Sequence, residues 1–490
     1  MARVEHHDVI IIGAGLSGIN TAHTMKTDMP HRKVVILEAR DVCAGTWSFF
    51  KYPGFRSDSS LTTFGFKWYP WNRDNLIAQG PDIAKYIEEA SKLDGSWEKI
   101  RFNHKVVACD WTTEDAKWTL AVEHNGEVTH YTANFVLSCA GYYSYTQALD
   151  SPIEGLDRFQ GKVIHPQWWD ESYDYTNKRV VVIGSGATAI TIVPALAEKA
   201  ANVIQLQRSP SYVIPRPNRS RLLTVLRWFV PISWAHTVAW WMHTVSESIQ
   251  TQTFIRNPRF ARWVIRFIMK LKIPKKIDAN VHFNPRYNPF EQRLCICPDN
   301  EYFDALARDN CQVVTDTIKT VTEDGILLNS GEKLDADLIV TATGLHFQVF
   351  NGLYPVVDGK KIVPGENYAW RGCMLEHLPN MAFIMGYVGQ SWTPGSMITG
   401  MTAVHIMKTM EKKHAKIATP TLEHFEGMPE GMALDSTANY FLKAIPRIPK
   451  SLGQGVWYGR THLIKDVWEY FLTKVDRDIV YSGISDKKTV

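Results

Sequence analysis

Two short glycine-rich turns, each placed between an apolar run and a helix-like segment, constrain the fold of this chain more than any other feature. The first turn follows residues 9–12 and spans Gly13 to Gly18, and the second follows residues 180–183 and spans Gly184 to Ala189. A second strand-like run, 34–37 or 203–207, completes each unit within about thirty residues. The pattern predicts an α/β fold with two Rossmann-like dinucleotide-binding domains.

The 490 residues are enough for two or three domains. We expect a discontinuous first domain over 1–145 and 331–490, and a second domain over 146–330 with a helical insertion at about 212–290. Short alternating runs at 102–137 indicate a β-meander or a crossover. The apolar run 337–344 is interpreted as a strand of the first domain, reached where the chain returns to it.

The end of each second strand indicates which nucleotide is bound. Glu38 ends the first unit, and a carboxylate there binds ribose hydroxyls and repels a 2′-phosphate, which favours FAD or NAD. Arg208 and Ser209 end the second unit, and a guanidinium beside a hydroxyl suits the 2′-phosphate of NADPH. An ordinary surface arginine is the alternative reading of Arg208.

A flavin site together with a nicotinamide site leaves the electron acceptor open. Disulfide reductases need two cysteines facing the flavin, but the segment after the first unit, 42–48, contains only Cys43. Oxygen therefore becomes the favoured acceptor. The seven cysteines are scattered, so reduced thiols in the cytoplasm are expected, and Cys295-x-Cys297 has no second pair that would complete a metal site.

Net charge and hydropathy argue against two other classes of protein. The net charge is +4 with no basic block, so no nucleic-acid partner is expected. Residues 222–245 are the best membrane candidate, but Arg227, Pro231 and His236 interrupt them. Two interpretations of the insertion stay open, namely a lid over a substrate pocket and peripheral contact with a membrane.

Two longer motifs accompany the glycine turns. Residues 44–58 read AGTWSFFKYPGFRSD and fit the pattern (A/G)GxWxxxx(F/Y)P(G/M)xxxD at every specified position. Residues 159–170 fit FxGxxxHxxxW(P/D) and precede the second turn. With these motifs the chain resembles the type I Baeyer–Villiger monooxygenases, which are class B flavoprotein monooxygenases. The resemblance covers nearly the whole chain. The stretches that look most like the ethionamide-activating subgroup include Tyr52–Asp58, Gly184–Val193, Tyr287–Leu294 and Thr341–Leu345.

The resemblance implies two sets of cofactor-binding residues. The FAD set is Gly13, Gly15, Ser17, Gly18, Glu38, Thr46, Trp47, Ser48, Phe49, Asp58 and Val106. The NADP set is Arg56, Ser57, Gly184, Ser185, Gly186, Ala187, Thr188, Arg208 and Ser209. Many relatives carry a lysine where this chain has Gln292, so discrimination against NADH is expected to be softer.

The resemblance also implies a reaction. Arg293 matches the family's catalytic arginine and Asp58 would orient it, so that a C4a-peroxyflavin stays anionic and attacks a ketone to give an ester or lactone. The partners implied are O2 and a small apolar ketone or thioether, with sulfoxidation as a side activity. Two alternatives stay open: a monooxygenase acting mainly on sulfur or nitrogen, and a non-catalytic NADPH-responsive flavoprotein.

The second motif is expected to couple nucleotide binding to domain motion. Its members are Phe159, Gly161, His165, Trp169 and Asp170. A general base or a packed histidine are the other readings of His165. Trp47 is expected to pack beside the flavin, and Trp392 either lines the pocket or belongs to the core.

Overall fold

A computed structural model describes residues 4–220, 224–225, 228–292, 294–387, 389–423, 427–434 and 437–483. Its strands, in chain order, are β1 (Glu5–Ile12), β2 (Val34–Leu37), β3 (Ile100–Arg101), β4 (Lys105–Thr112), β5 (Lys117–His124), β6 (Glu127–Ser138), β7 (Tyr143–Ala148), β8 (Lys162–Ile164), β9 (Arg179–Ile183), β10 (Asn202–Gln207), β11 (Val213–Arg216), β12 (Cys295–Pro298), β13 (Cys311–Thr315), β14 (Ile318–Thr322), β15 (Gly325–Leu328), β16 (Lys333–Asp335), β17 (Leu338–Thr341), β18 (Leu345–Phe347), β19 (Val356–Val357), β20 (Lys360–Lys361), β21 (Ala369–Trp370), β22 (Met374–Leu375), β23 (Met381–Phe383), β24 (Ile417–Pro420), β25 (Gly431–Met432), β26 (Lys450–Ser451) and β27 (Ile479–Ser482).

The α-helices of the described residues are α1 (Leu16–Asp28), α2 (Thr46–Phe49), α3 (Leu61–Phe64), α4 (Gly80–Asp94), α5 (Ala187–Leu196), α6 (Ile232–Arg256), α7 (Pro258–Lys270), α8 (Ala279–His282), α9 (Glu301–Ala307), α10 (Trp392–Lys413), α11 (Asn439–Leu442) and α12 (Leu463–Leu472). Within these residues, no helix is long and apolar enough to cross a membrane.

The first sheet has nine strands in the described part of the chain, in the order β20-β19-β4-β5-β6-β1-β2-β3, with β23 also on β6. Strand β1 lies parallel to both β2 and β6. Helix α1 is the crossover that the parallel pair β1 and β2 requires. The alternating run at 102–137 forms the antiparallel meander β4-β5-β6. Of the two expectations for this run, the meander is confirmed and the crossover is not.

Alternate residues of β1 face two separate cores, as the twofold period of a strand requires. Val9 and Ile11 pack with α1 and α10, whereas Ile10 packs with the meander and its buried Trp118. Because both faces are covered, β1 reads as a nearly continuous apolar run. The last hundred residues contribute α10 to this cover, where α10 packs along α1.

The second sheet, as far as it is described, has five strands in the order β13-β10-β9-β17-β8. Strand β17 lies parallel to both β9 and β8, with Ile339 opposite Val181 and Val163. The expectation that the run 337–344 belongs to the first domain was therefore wrong. An apolar run fits the middle of any parallel sheet, so its composition could not decide between the two sheets. The chain leaves the second sheet after Thr341.

Two connections join the sheets, and they are hydrogen-bonded to each other. Strand β7 leads from β6 towards β8, and β18 leads from β17 towards β19. These two strands pair antiparallel, with Leu345 opposite Ala148 and Phe347 opposite Tyr143. We call this pair the connecting ribbon.

The helical insertion begins as a strand. Strand β11 pairs in parallel with β12 across the insertion, and helices α6, α7 and α8 lie between them in the chain. Part of the membrane candidate 222–245 lies outside the described residues.

Candidate active site

A cavity of about 410 Å³ opens at the carboxyl ends of β1 and β2. Its lining includes Gly13, Gly15, Glu38, Val106 and Trp392. This is the edge at which ligands bind in open α/β sheets. Most members of the FAD set line this cavity: Gly13, Gly15, Ser17, Glu38, Thr46, Trp47 and Val106.

The first glycine turn leaves no room for a side chain at Gly13 or Gly18. Gly13 has φ +99°, and a Cβ there would lie 2.8 Å from the carbonyl oxygen of Cys139. A Cβ on Gly18 would lie 1.9 Å from the carbonyl oxygen of Gly13. Helix α1 then begins at Leu16, and among the described residues no side chain caps its amino terminus. Its first backbone N–H groups are available to an anion, as phosphate binding requires.

Glu38 is buried at one end of the cavity. Its Oε2 accepts a hydrogen bond from the Ala14 N–H at 2.8 Å, and its Oε1 accepts one from the Arg40 N–H at 3.0 Å. Burial raises the pKa of Glu38, while these backbone N–H groups and the Arg40 charge oppose the rise. The carboxylate is thereby fixed in place, where it can accept further hydrogen bonds from ribose hydroxyls.

Arg40 and Tyr145 complete this wall, and both were missed from the sequence. The Arg40 Nη2 donates to the Gly45 carbonyl and to Ser48 Oγ, each at 2.7 Å. Tyr145 stacks on Phe49 with ring centroids 4.0 Å apart, and Arg40 lies over both rings. The position of Arg40, two residues after Glu38, was an available signal. Tyr145 had none, because only the fold brings it next to Phe49.

The other end of the cavity is aromatic. Trp47 packs between Phe55 and Phe64, with centroids 5.3 Å and 5.2 Å away. Trp392 stacks on Tyr142 at 4.3 Å and donates from Nε1 to Ser17 Oγ at 3.0 Å. The cavity thus offers N–H donors for phosphates, a carboxylate that can accept hydrogen bonds from a ribose, and an aromatic end. Together these groups suit a dinucleotide that carries a flat ring system.

The second glycine turn is open to solvent. Gly184 has φ +143°, and a Cβ there would lie 2.4 Å from the Ala342 carbonyl oxygen. Around Gly186, by contrast, no described heavy atom lies within 4 Å of where a Cβ would be. Ser185 Oγ accepts a hydrogen bond from Ser211 Oγ at 3.1 Å. Ala187 and Thr188 then open helix α5, which also lacks a side-chain cap within the described chain.

Arg208 and Ser209 are both exposed at the end of β10. The preceding Gln207 turns inward, where its Nε2 donates to the His282 carbonyl and to Thr315 Oγ1, each at 2.9 Å. The guanidinium and the hydroxyl are thus free to contact a phosphate that approaches from solvent.

The segment from Arg56 to Asp58 joins the two domains. Arg56 is buried and forms an ion pair with Glu301 of α9, with Nη2–Oε1 at 2.6 Å, and it also donates to the Ile296 carbonyl at 3.1 Å. The guanidinium of Arg56 is therefore engaged with the second domain. Ser57 is buried and donates to the Ser59 carbonyl at 3.0 Å. Asp58 is half-buried.

Arg293 lies outside the described residues, so its pairing with Asp58 stays a prediction. Its neighbour Gln292 is half-buried and forms an isolated bridge with Pro289.

The second motif contains β8, an edge strand of the second sheet, and the short 3₁₀ turn that follows it. Phe159 and Trp169 are buried, and a Cβ on Gly161 would lie 2.6 Å from the Asp337 carbonyl oxygen. Asp170 accepts from Lys162 Nζ at 3.1 Å and from Ser172 Oγ at 2.6 Å. His165 caps a short 3₁₀ turn through Nδ1, which accepts from the Gln167 N–H at 3.2 Å, and burial lowers its pKa.

The turn after His165 contacts the cavity wall directly. The Trp168 Nε1 donates to the Tyr145 carbonyl at 3.0 Å, and the Gln167 Nε2 donates to the Ser144 carbonyl at 2.7 Å. His165 caps the turn that makes this contact, and its role in domain motion stays a prediction.

Fold and site together define a protein with two dinucleotide sites, one enclosed and one open, on two sheets that the connecting ribbon joins. The chain belongs to the flavin-binding monooxygenase-like family, whose sequence profile matches residues 6–414. It is 38% identical over 479 residues to the FAD-containing monooxygenase EthA of Mycolicibacterium smegmatis, with 97% of each chain covered. It is 35% identical to the probable FAD-binding monooxygenase AlmA of Acinetobacter baylyi, covering 99% of this chain and 97% of that one.

Solved structures share the fold. A steroid monooxygenase bound to NADP superposes with a TM-score of 0.75 at 20% identity, covering 97% of this chain and 99% of the other. An open form of cyclohexanone monooxygenase gives a TM-score of 0.75 at 19% identity, with 98% and 100% covered. The predicted α/β architecture and the resemblance to flavoprotein monooxygenases are confirmed.

Proposed function

We propose that this chain is an FAD- and NADPH-dependent monooxygenase of the Baeyer–Villiger type, which inserts one oxygen atom from O2 next to the carbonyl of a small apolar ketone. The observation that carries the proposal is that both sequence motifs reach the wall of one cavity. The first runs from Thr46 at the cavity to the Arg56–Glu301 ion pair, and the second contacts Tyr145.

The first cavity would hold FAD. The amino terminus of α1 would bind the pyrophosphate, Glu38 the ribose, and the aromatic end around Trp47 and Trp392 the flavin ring. The open turn at Gly184 would hold NADPH, with Arg208 and Ser209 on the 2′-phosphate. When bound, FAD accepts a hydride from NADPH and activates O2.

The chain's own residues would bind the two cofactors, exclude water from the reacting end of the cavity and hold a fixed positive charge there. The rings of Trp47, Tyr142 and Trp392 make the reacting end apolar, which strengthens any electrostatic interaction there. Arg293 would supply a fixed positive charge that stabilises anionic oxygen in the transition state, and Asp58 would orient it.

Product analysis tests the reaction. The purified holoprotein is incubated with NADPH, labelled O2 and a panel of one cyclic ketone, one 2-alkanone and one thioether. We expect esters or lactones that carry one labelled oxygen. Labelled sulfoxide as the main product, with little ester, would instead favour the heteroatom alternative.

Arg293→Ala separates the steps of the reaction. We expect the variant to keep flavin reduction by NADPH and to lose ester formation, because only oxygen transfer needs the fixed charge. Arg286→Ala removes an exposed arginine from the same region and serves as the matched control. A normal ester yield from Arg293→Ala would contradict the assigned role.

A further inference from the structure

Helix α6 carries a stripe of apolar side chains on its exposed face. Its outward face carries the exposed apolar side chains of Trp234, Val238, Trp241, Val245 and Ile249. These positions recur every three or four residues, so they form one stripe along about 20 Å of helix. A helix that faced only water on this side would carry polar residues there.

The inward face of α6 is buried and carries both apolar side chains, such as Trp240, and polar ones. Thr244, Ser248 and Thr251 are buried. Ser248 Oγ accepts from Gln390 Nε2 at 2.7 Å, and Gln390 Oε1 in turn accepts from the Leu463 N–H at 3.0 Å. The rotation of the helix is therefore fixed by its inner contacts, and the outward apolar stripe is a built feature of the fold.

Helix α7, the next helix in the chain, carries a ladder of exposed aromatic rings. Phe260, Trp263 and Phe267 are 51%, 65% and 55% exposed. Consecutive rings of this ladder stack with centroids 6.2 Å and 6.1 Å apart. The opposite side of α7, with Ala261 and Ile265, is buried against the second domain. Both sides of α7 are thus apolar, although only one of them is covered.

Positive charge surrounds the exposed rings. Residues 228–277 contain eight lysines and arginines but one carboxylate, Glu247, which is half-buried on the inner side of α6. Arg256, Arg259, Lys270, Lys272 and Lys275 are all exposed. A second copy of the chain on this surface would bring like charges together, which disfavours self-association. An anionic surface would be attracted.

We propose that the outward faces of α6 and α7 form a docking surface for an anionic lipid bilayer, with the helices lying in the plane of the interface. Tryptophan and phenylalanine rings insert at the depth of the headgroups, and the flanking basic side chains contact lipid phosphates. The protein would lie on the membrane without crossing it. This proposal is independent of the reaction assigned above.

Vesicle flotation of the holoprotein, without substrate, tests the surface. We expect binding to phosphatidylcholine vesicles that contain about a quarter phosphatidylglycerol, weakening steeply with salt, and little binding to phosphatidylcholine alone. The double variant Trp263→Ser with Phe267→Ser should bind at least about tenfold more weakly because it loses two interfacial rings. Leu93→Ser with Val128→Ser removes exposed apolar side chains elsewhere and should bind like the parent.

The charge requirement is tested separately. Arg259→Gln with Lys270→Gln should lower binding to the anionic vesicles, whereas Lys85→Gln with Lys117→Gln, at exposed sites on the first domain, should not. Equal losses in both charge variants, or no binding to either kind of vesicle, would overturn the proposal. So would a ring variant that binds normally but changes the molar mass in light scattering, since this would identify a second copy as the occupant.

Discussion

The two glycine turns share a fold but differ in how much of the protein covers them. Trp392, Tyr145 and helix α2 cover the first turn, and Glu38, the acid at the end of the following strand, is buried. The second exposes Gly186, Arg208 and Ser209 to solvent. An enclosed site exchanges its ligand slowly and an open site exchanges it quickly, since leaving the first requires part of the wall to move. The difference suits a resident flavin and a nicotinamide nucleotide that exchanges during turnover.

The largest expected effect comes from the last residue of each glycine turn, which is Gly18 in the first turn and Ala189 in the second. Gly18→Ala places a methyl group 1.9 Å from the Gly13 carbonyl oxygen, which the backbone must move to relieve. Because overpacking typically costs about 1–3 kcal/mol and here meets backbone, we expect flavin content below about a tenth of the parent's. Flavin absorbance per protein measures this. The second turn already carries Ala189, so Ala189→Gly should keep full flavin content.

Arg208→Ala should affect only the open site. Loss of one charged hydrogen-bonding partner costs about 1.5–3 kcal/mol, so the KM for NADPH should rise about ten- to a hundredfold. The KM for NADH should stay unchanged, because NADH has no 2′-phosphate. Steady-state oxidation of both nucleotides measures this, with Lys199→Ala, which removes an exposed positive charge elsewhere on the second domain, as the control. Equal losses with the two nucleotides would remove Arg208 from the phosphate site.

Glu38 and Glu247 should differ in their pH dependence. Burial raises the pKa of Glu247 to about 7 from 4.5, with only the Arg216 charge opposing the rise, whereas Glu38 has two backbone donors. Between these pH values the folded chain holds a proton that the unfolded chain has lost, so stability falls as the pH rises from about 4.5 to 7.

Glu247→Gln should remove that fall. We expect the free energy of unfolding of the variant to match the parent's near pH 4.5 and to exceed it by about 3 kcal/mol above pH 7. Thermal midpoints measured from pH 5 to pH 8 should show the gap open across this window. The exposed-site variant Glu198→Gln should follow the parent at every pH. A constant gap for Glu247→Gln would mean that the carboxyl does not titrate in this range.

The smallest expected effect concerns the serines of the two turns. Trp392→Phe keeps an aromatic ring but loses the Nε1 donor to Ser17, which costs about 1 kcal/mol, or about fivefold in flavin affinity. Titration of the apoprotein with FAD measures this. Ser211→Ala removes the corresponding partner of Ser185 and should leave flavin affinity unchanged. An unchanged affinity in Trp392→Phe would show that Trp392 contributes nothing to flavin binding through this bond.

Local pattern predicted much of the fold and part of the site. The strand before each turn, the turns themselves and the ends at Glu38 and Arg208 follow from residues close in sequence, so their positions could be read directly. The sheet to which β17 belongs could not be, because pairing depends on distant partners. Tyr145 and Trp392 were hidden or ambiguous for the same reason: β7 and α10 reach the cavity only through the tertiary fold.

The connecting ribbon has a mechanical consequence. Because β7 and β18 are hydrogen-bonded to one another, neither link between the sheets can shift alone, and a rotation of one sheet against the other must bend the pair as a single pivot. Tyr145 lies on this pivot, with its ring against Phe49 and its carbonyl oxygen bonded to Trp168. Any displacement of the Trp168 turn is therefore passed directly to the wall of the enclosed cavity.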